Sequence, residues 1–133
     1  MSRTKISSGA KWENIVGYSR AIKTGNHITI GGTTSIDDNG DIVGINNPYE
    51  QTKFIFQKIE KYLKETGAEL KDVVHNRIYI TDITRWEDAG RAHNEFFGDI
   101  KPCCTMVEVK GLINPDMLVE IETEAIIDGE IVK

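Results

Sequence analysis

The chain has 133 residues, the size of one domain, and its 39% apolar and 28% charged residues exclude a disordered, collagen-like or low-complexity protein. Acidic residues outnumber basic ones for a net charge of −5, which argues against sequence-independent phosphate binding, so nucleic acid is not an expected partner. No run approaches the ~18 consecutive apolar residues of a membrane span, and no apolar stretch follows Met1-Ser2-Arg3-Thr4-Lys5 to make a secretory signal.

Residues Val16 to Lys23 alternate and end at Thr24-Gly25-Asn26, a hairpin signal. Ile28 and Ile30 continue as a second strand that runs into Gly31-Gly32. The turn Asp38-Asn39-Gly40-Asp41 predicts a short third strand near Ile42–Val43. Asn47-Pro48-Tyr49-Glu50 announces a helix: Asn47 as N-cap, Pro48 as first helical residue and Glu50 as the reach-back acid of a capping box. Ile55, Phe56, Ile59 and Leu63 recur at helical spacing, and Gly67 supplies the stop.

Val73 to Thr81 reads as a strand with Val74, Ile78 and Ile80 on one face and His75, Arg77, Tyr79 and Thr81 on the other. Thr84, with Glu87 three residues on, predicts the start of a second helix carrying Ala89, Ala92, His93, Phe96 and Phe97. Pro102 to Lys110 is a strand that sets Thr105, Val107 and Val109 against Cys104, Met106 and Glu108. After the turn Asn114-Pro115-Asp116, the strand Met117 to Ile127 places Val119, Ile121 and Ala125 opposite Leu118, Glu120, Glu122 and Glu124.

This order gives a single domain over residues 1–133, with two helices that cover one face of a mixed sheet. The other face is expected to mix His75, Arg77, Tyr79, Glu108, Glu120 and Glu122 with Leu118, Met106 and Val16. Such a surface suits a subunit interface with wet polar pockets, so a homo-oligomer is expected. The two cysteines are neighbours, Cys103 and Cys104, in poor geometry for a bridge. With no CxxC, HExxH or zinc spacing, no metal or cofactor is expected, and a reducing cytoplasm is the natural compartment.

Taken in order, Gly17-Tyr18, Ile30-Gly31-Gly32, Gln51, Asp72-Val73-Val74, Tyr79-Ile80-Thr81-Asp82, Phe96-Phe97, Pro102, Val107-Glu108-Val109 and Val119-Glu120-Ile121-Glu122 resemble the Rid family of reactive intermediate deaminases, also called the YjgF or L-PSP endoribonuclease family. The match covers about Ile15 to Ile127. It implies an α+β, chorismate-mutase-like fold: a single mixed sheet with two helices on one face. It also implies a homotrimer whose bare sheet faces close a central barrel, with a small-molecule ligand in each intersubunit cleft. The family activity it implies is hydrolysis of enamines and imines. In the deaminase branch an arginine after Pro-Ala clamps the substrate carboxylate, whereas here that position is Cys104, so this chain resembles branches lacking the clamp.

The resemblance places Glu120 at the family's water-activating glutamate and Tyr18 at a pocket tyrosine. Without it, Glu120 reads as one of three acids on a solvated strand face and Tyr18 as an interface aromatic. Arg20 and Arg77, assigned by alternation to the bare face, are candidate anion readers or partners for the strand acids. Cys104 has no sequence-local base to make it a nucleophile and reads as a small filler. Thr105 offers a hydroxyl or backbone N–H but is expected to face the helices. Trp86 aligns with an aromatic near the family pocket, against the commoner role of covering the core. Gly32, in Gly31-Gly32-Thr33, marks a close approach of backbone to a ligand or subunit, not a phosphate loop. Two functions compete: a hydrolase of C=N compounds, and a non-catalytic metabolite-binding trimer. Ribonuclease activity gains little from the acidic balance and the lack of a His pair beside Lys or Arg. Trp12-Glu13 precedes the matched region and receives no functional reading.

Overall fold

The computed structural model describes residues 2–127; the rest of the expected domain lies outside the described residues. Six strands form one sheet in the order β1-β2-β3-β6-β4-β5: β1 Arg3–Ile6, β2 Ala21–Thr24, β3 His27–Thr33, β4 Val73–Ile80, β5 Cys103–Glu108 and β6 Val119–Ile126. Only β4 and β5 pair in parallel; every other neighbouring pair is antiparallel. Two helices, α1 Pro48–Glu65 and α2 Trp86–Phe97, pack together on one face. Ile28 and Ile30 from β3, Ile78 and Ile80 from β4, and Val119, Ile121 and Ala125 from β6 meet Ile55, Phe56, Ile59 and Leu63 of α1 and Phe97 of α2 in the core. No described helix is long and apolar enough to cross a membrane.

Helix α1 starts and stops where its sequence dictates. The Asn47 side chain accepts from the Glu50 N–H at 3.1 Å, and Pro48 stands first in the helix. The Asn47 N–H bonds the Gly44 carbonyl, so the expected capping box is formed on one side only. At the far end Gly67 adopts φ +84°, and the Gly67 and Ala68 N–H groups return to the Lys64 and Leu63 carbonyls.

Several expected elements differ. The strand expected from Val16 begins at Ala21, because residues Glu13–Gly17 form a π-helical turn that Gly17 leaves at φ +95°. Val16 therefore sits on an exposed turn, away from the sheet face. Arg3–Ile6, unassigned in the sequence, pairs with β2 at the sheet edge. The third strand near Ile42 reduces to one bridge, Ile36 with Ile42. A bulge between Val73 and His75 gives the core position to Val73 and leaves Val74 exposed. The second helix opens at Trp86 after a 3₁₀ turn over Ile83–Arg85, capped by Asp82 accepting from the Thr84 N–H, not by Thr84.

The largest correction concerns β5. Its register sets Cys104 beside Asn76 and Met106 beside Ile78, so Cys104, Met106 and Glu108 lie on the helix-bearing side. Cys103, Thr105 and Val107 lie on the bare side with His75, Arg77 and Tyr79. Met106 and Leu118 both pack against the core, and Glu108 accepts from the Ile83 N–H at 3.0 Å. The bare face is thus more polar than expected.

Candidate functional site

The bare face is built by alternation on two antiparallel strands. β6 buries Val119, Ile121, Thr123 and Ala125, which turns Glu120, Glu122 and Glu124 outward, and β4 turns out His75, Arg77 and Tyr79 against them. The groups then sort themselves by pairing. Tyr79 donates its hydroxyl to Glu122, Arg77 bonds Glu124 at 3.0 Å, and His75 shares a hydrogen bond with Thr105 at 3.0 Å. The bond to Glu122 raises the Tyr79 phenol above its usual range, and the bond from Arg77 holds the Glu124 carboxyl below its own.

Glu120 stands apart. Among the described residues its carboxylate makes no hydrogen bond or ion pair. It is half-buried, and this desolvation is the main cause that raises its pKa; Arg20 pulls in the opposite direction and the Glu122 charge adds to the rise. The carboxylate rests over Gly32, where a Cβ would come 2.5 Å from Glu120 Oε2. Gly32 is therefore the residue that leaves room for the acid. Glu120, Glu122, Tyr79 and Gly32 line a hollow of about 300 Å³ that is completed by Val109, Gly111 and Leu112 from the segment after β5.

Arg20 closes the wall behind this hollow. Only 8% exposed, it donates to the Gly32 carbonyl, lies 5.6 Å from the Tyr18 ring centroid, and leaves a buried Nε without a partner. The turn carrying Tyr18 is anchored from below. Glu13, 5% exposed, accepts from the Ser7 hydroxyl at 2.8 Å, from the Ser8 N–H and from the Ser8 hydroxyl, and its own carbonyl receives the Tyr18 N–H at 2.9 Å. Burial opposes ionisation of Glu13, and the three serine bonds together with Arg20 outweigh it, so its pKa lies low.

Of the expected site residues, the structure brings Glu120 and Gly32 together in the hollow, with Arg20 directly behind. Tyr18 stacks on Arg20 but does not line the hollow. Arg77 is committed to Glu124, and Thr105 faces the bare side and not the helices. Cys104 points to the opposite side, where desolvation pushes its thiol pKa up, away from nucleophilic thiolate. Trp86 is exposed at the start of α2 over Gly90 and does not cover the core. Tyr79, Glu122, Val109, Gly111 and Leu112 were not expected in the site. The register partner of Glu120 is Tyr79, a signal that strand pairing supplies. The loop residues carry no sequence signal beyond Gly111.

Comparison with known proteins gives a uniform picture. The family model described as endoribonuclease L-PSP matches residues 9–127. A crystal structure from Mycobacterium tuberculosis, a member of the YjgF/YER057c/UK114 family, superposes with a TM-score of 0.86 at 44% identity, covering 95% of this chain and all 100% of that one. An uncharacterised protein of Streptomyces coelicolor is 34% identical over 91% of this chain and 90% of its own length. The 3-aminoacrylate deaminase RutC of Acinetobacter baylyi is 32% identical over 81% of this chain and 85% of its own.

Proposed function

Because the chain belongs to the endoribonuclease L-PSP family, also called the YjgF or Rid family, we propose that it is a small-molecule hydrolase of imines or enamines, acting in clefts between the subunits of a homotrimer. The observation that carries this reading is Glu120, a half-buried carboxylate without a protein partner that faces a hollow of small-molecule size. A carboxylate spent on a structural ion pair, like Glu124, has no such freedom. The RutC relative, named for deamination of 3-aminoacrylate, agrees with the reaction class.

The chemistry is addition of water to C=N followed by loss of ammonia. Glu120 accepts a proton from water as the water oxygen bonds to the imine carbon, the C=N π pair moves to nitrogen, and Glu120 passes the proton on to that nitrogen. In the resulting carbinolamine Glu120 takes the hydroxyl proton as the O–H pair forms C=O and the C–N bond breaks, and it delivers that proton to the departing nitrogen, which leaves as ammonia. The sum is imine plus water to carbonyl compound plus ammonia, and Glu120 is regenerated. Its raised pKa makes it a stronger base than a free glutamate, as a proton acceptor near neutrality requires. The hydrogen-bonded Tyr79–Glu122 pair fixes the neighbouring wall.

Three copies joined through their bare faces would place one subunit's β5, with Thr105 on its bare side, against the next subunit's hollow. Sedimentation or native mass spectrometry tests the assembly, and a stable monomer at micromolar concentration would refute the intersubunit site. Turnover of a panel of imines by wild type and Glu120→Gln tests the chemistry. The second reading, a non-catalytic metabolite-binding trimer, is favoured by Cys104 standing where the family's deaminase branch carries a carboxylate-clamping arginine. It would prevail if Glu120→Gln weakened ligand binding and no substrate were turned over.

A further inference from the structure

We propose that the hollow around Glu120 selects cationic and uncharged ligands, such as iminium ions and short alkyl amines, and turns carboxylates away. This deepens the hydrolase reading and rests on the same site. The hollow is lined by two carboxylates, Glu120 and Glu122, and by no cationic side chain. The one phenol there already donates to Glu122, so it offers no hydrogen bond to an incoming anion.

Arg20, Arg77 and Lys58 are each engaged elsewhere. Arg20 gives a terminal nitrogen to the Gly32 carbonyl, and its partnerless Nε is buried where no ligand reaches it. Arg77 is held by Glu124 at 3.0 Å. Lys58 donates to the Thr34 and Ile36 carbonyls at 2.8 and 2.9 Å. Lys110 lies between Val109 and Gly111 but does not line the cavity. A carboxylate entering this space meets two like charges and no donor fork. An ammonium or iminium group meets two carboxylates, one of them free of protein partners, while Val109 and Leu112 supply an apolar wall for a short alkyl chain.

The relevant experiment separates ligand charge from turnover. Binding of butylammonium, butyramide and butyrate, matched in chain length, is measured on the native assembly by titration calorimetry or ligand-observed NMR. Wild type should bind butylammonium about 10- to 100-fold more tightly than butyrate, the range of one to two charge-assisted contacts, with butyramide between them. Glu122→Gln removes one charge and keeps the side-chain shape; it should narrow the gap by roughly tenfold. Butyrate binding as tightly as butylammonium, or no binding of either probe at millimolar concentration, would overturn the proposal. A clear preference for butylammonium in a protein that hydrolyses no imine would support this selectivity and reject the hydrolase reading.

Discussion

Replacing Glu120 with Gln removes the proton acceptor and almost nothing else. The amide has the volume of the carboxylate, no protein partner is lost, and the surface of Gly32 beneath it accepts either group. A positioned general base contributes about 10²–10⁴-fold, so imine turnover should fall by that factor, equivalent to about 2.7–5.4 kcal/mol of barrier. Stability should move the other way. The folded pKa of Glu120 is raised above the usual 4.5, so its contribution to stability is complete below that value and is lost as pH rises through the raised pKa. At neutral pH the ionised acid is therefore a burden that Gln relieves, and the melting temperature should stay level or rise. The wild-type rate should decline as pH falls through an inflection above 4.5, and this inflection should vanish from the residual activity of the variant. Steady-state assays from pH 4 to 8, with calorimetric melting of both proteins, read all of this. Glu124→Gln, on the same strand but outside the hollow, serves as the comparison; loss of its half-exposed bond to Arg77 costs about 0–1 kcal/mol. Equal activity of wild type and Glu120→Gln, or a loss of activity that tracks a loss of stability, would refute the reasoning.

Three further outcomes follow from the geometry. Gly32→Ala should displace the Glu120 carboxylate, cutting turnover while unfolding in urea shifts by no more than about 1 kcal/mol, since the obstructing atom ends a flexible side chain. Phe56→Ala, at a fully buried ring packed 5.0 Å from Phe97, should lower the unfolding free energy by about 3–5 kcal/mol in the same assay. His93 is held neutral by burial, with its Nε2 3.1 Å from Asn76 Nδ2, so its contribution to stability is present above 6.5 and is lost as pH falls through its lowered folded pKa; His93→Gln should flatten that part of the stability–pH curve.

The parts of this fold legible in the sequence are those where one local rule decides. Asn47, Pro48 and Gly67 delimit α1 because capping and positive φ are properties of single residues. β6 was readable because its alternation sets apolar Val119, Ile121 and Ala125 against three glutamates, and this contrast alone fixes which way Glu120 faces. β5 shows the opposite case. Its two faces, Cys103/Thr105/Val107 and Cys104/Met106/Glu108, have nearly equal polarity, so parity could not be assigned from composition; hydrogen bonding to β4 decides it. The misplaced strand at Val16 has a different cause. Its alternation is real, but the capture of Glu13 by Ser7 and Ser8, six and five residues before it, and the left-handed Gly17 commit the segment to a turn. The hollow itself required both the β4–β6 register and the loop after β5, and neither is a local property.

The bonds from Ser7 and Ser8 to Glu13 give the amino-terminal segment an influence beyond its own edge of the sheet. Those serines immediately follow β1, and the carboxylate they hold anchors the turn from which Tyr18 emerges to stack on Arg20, the residue behind Gly32. Trimming the chain by eight residues would discard a marginal edge strand, and with it the only hydroxyl donors to a buried acid among the described residues. The lesion would surface at Tyr18 and Arg20, so proteolytic nicking or a bulky fusion at this end is communicated to the back wall of the hollow through a single carboxylate.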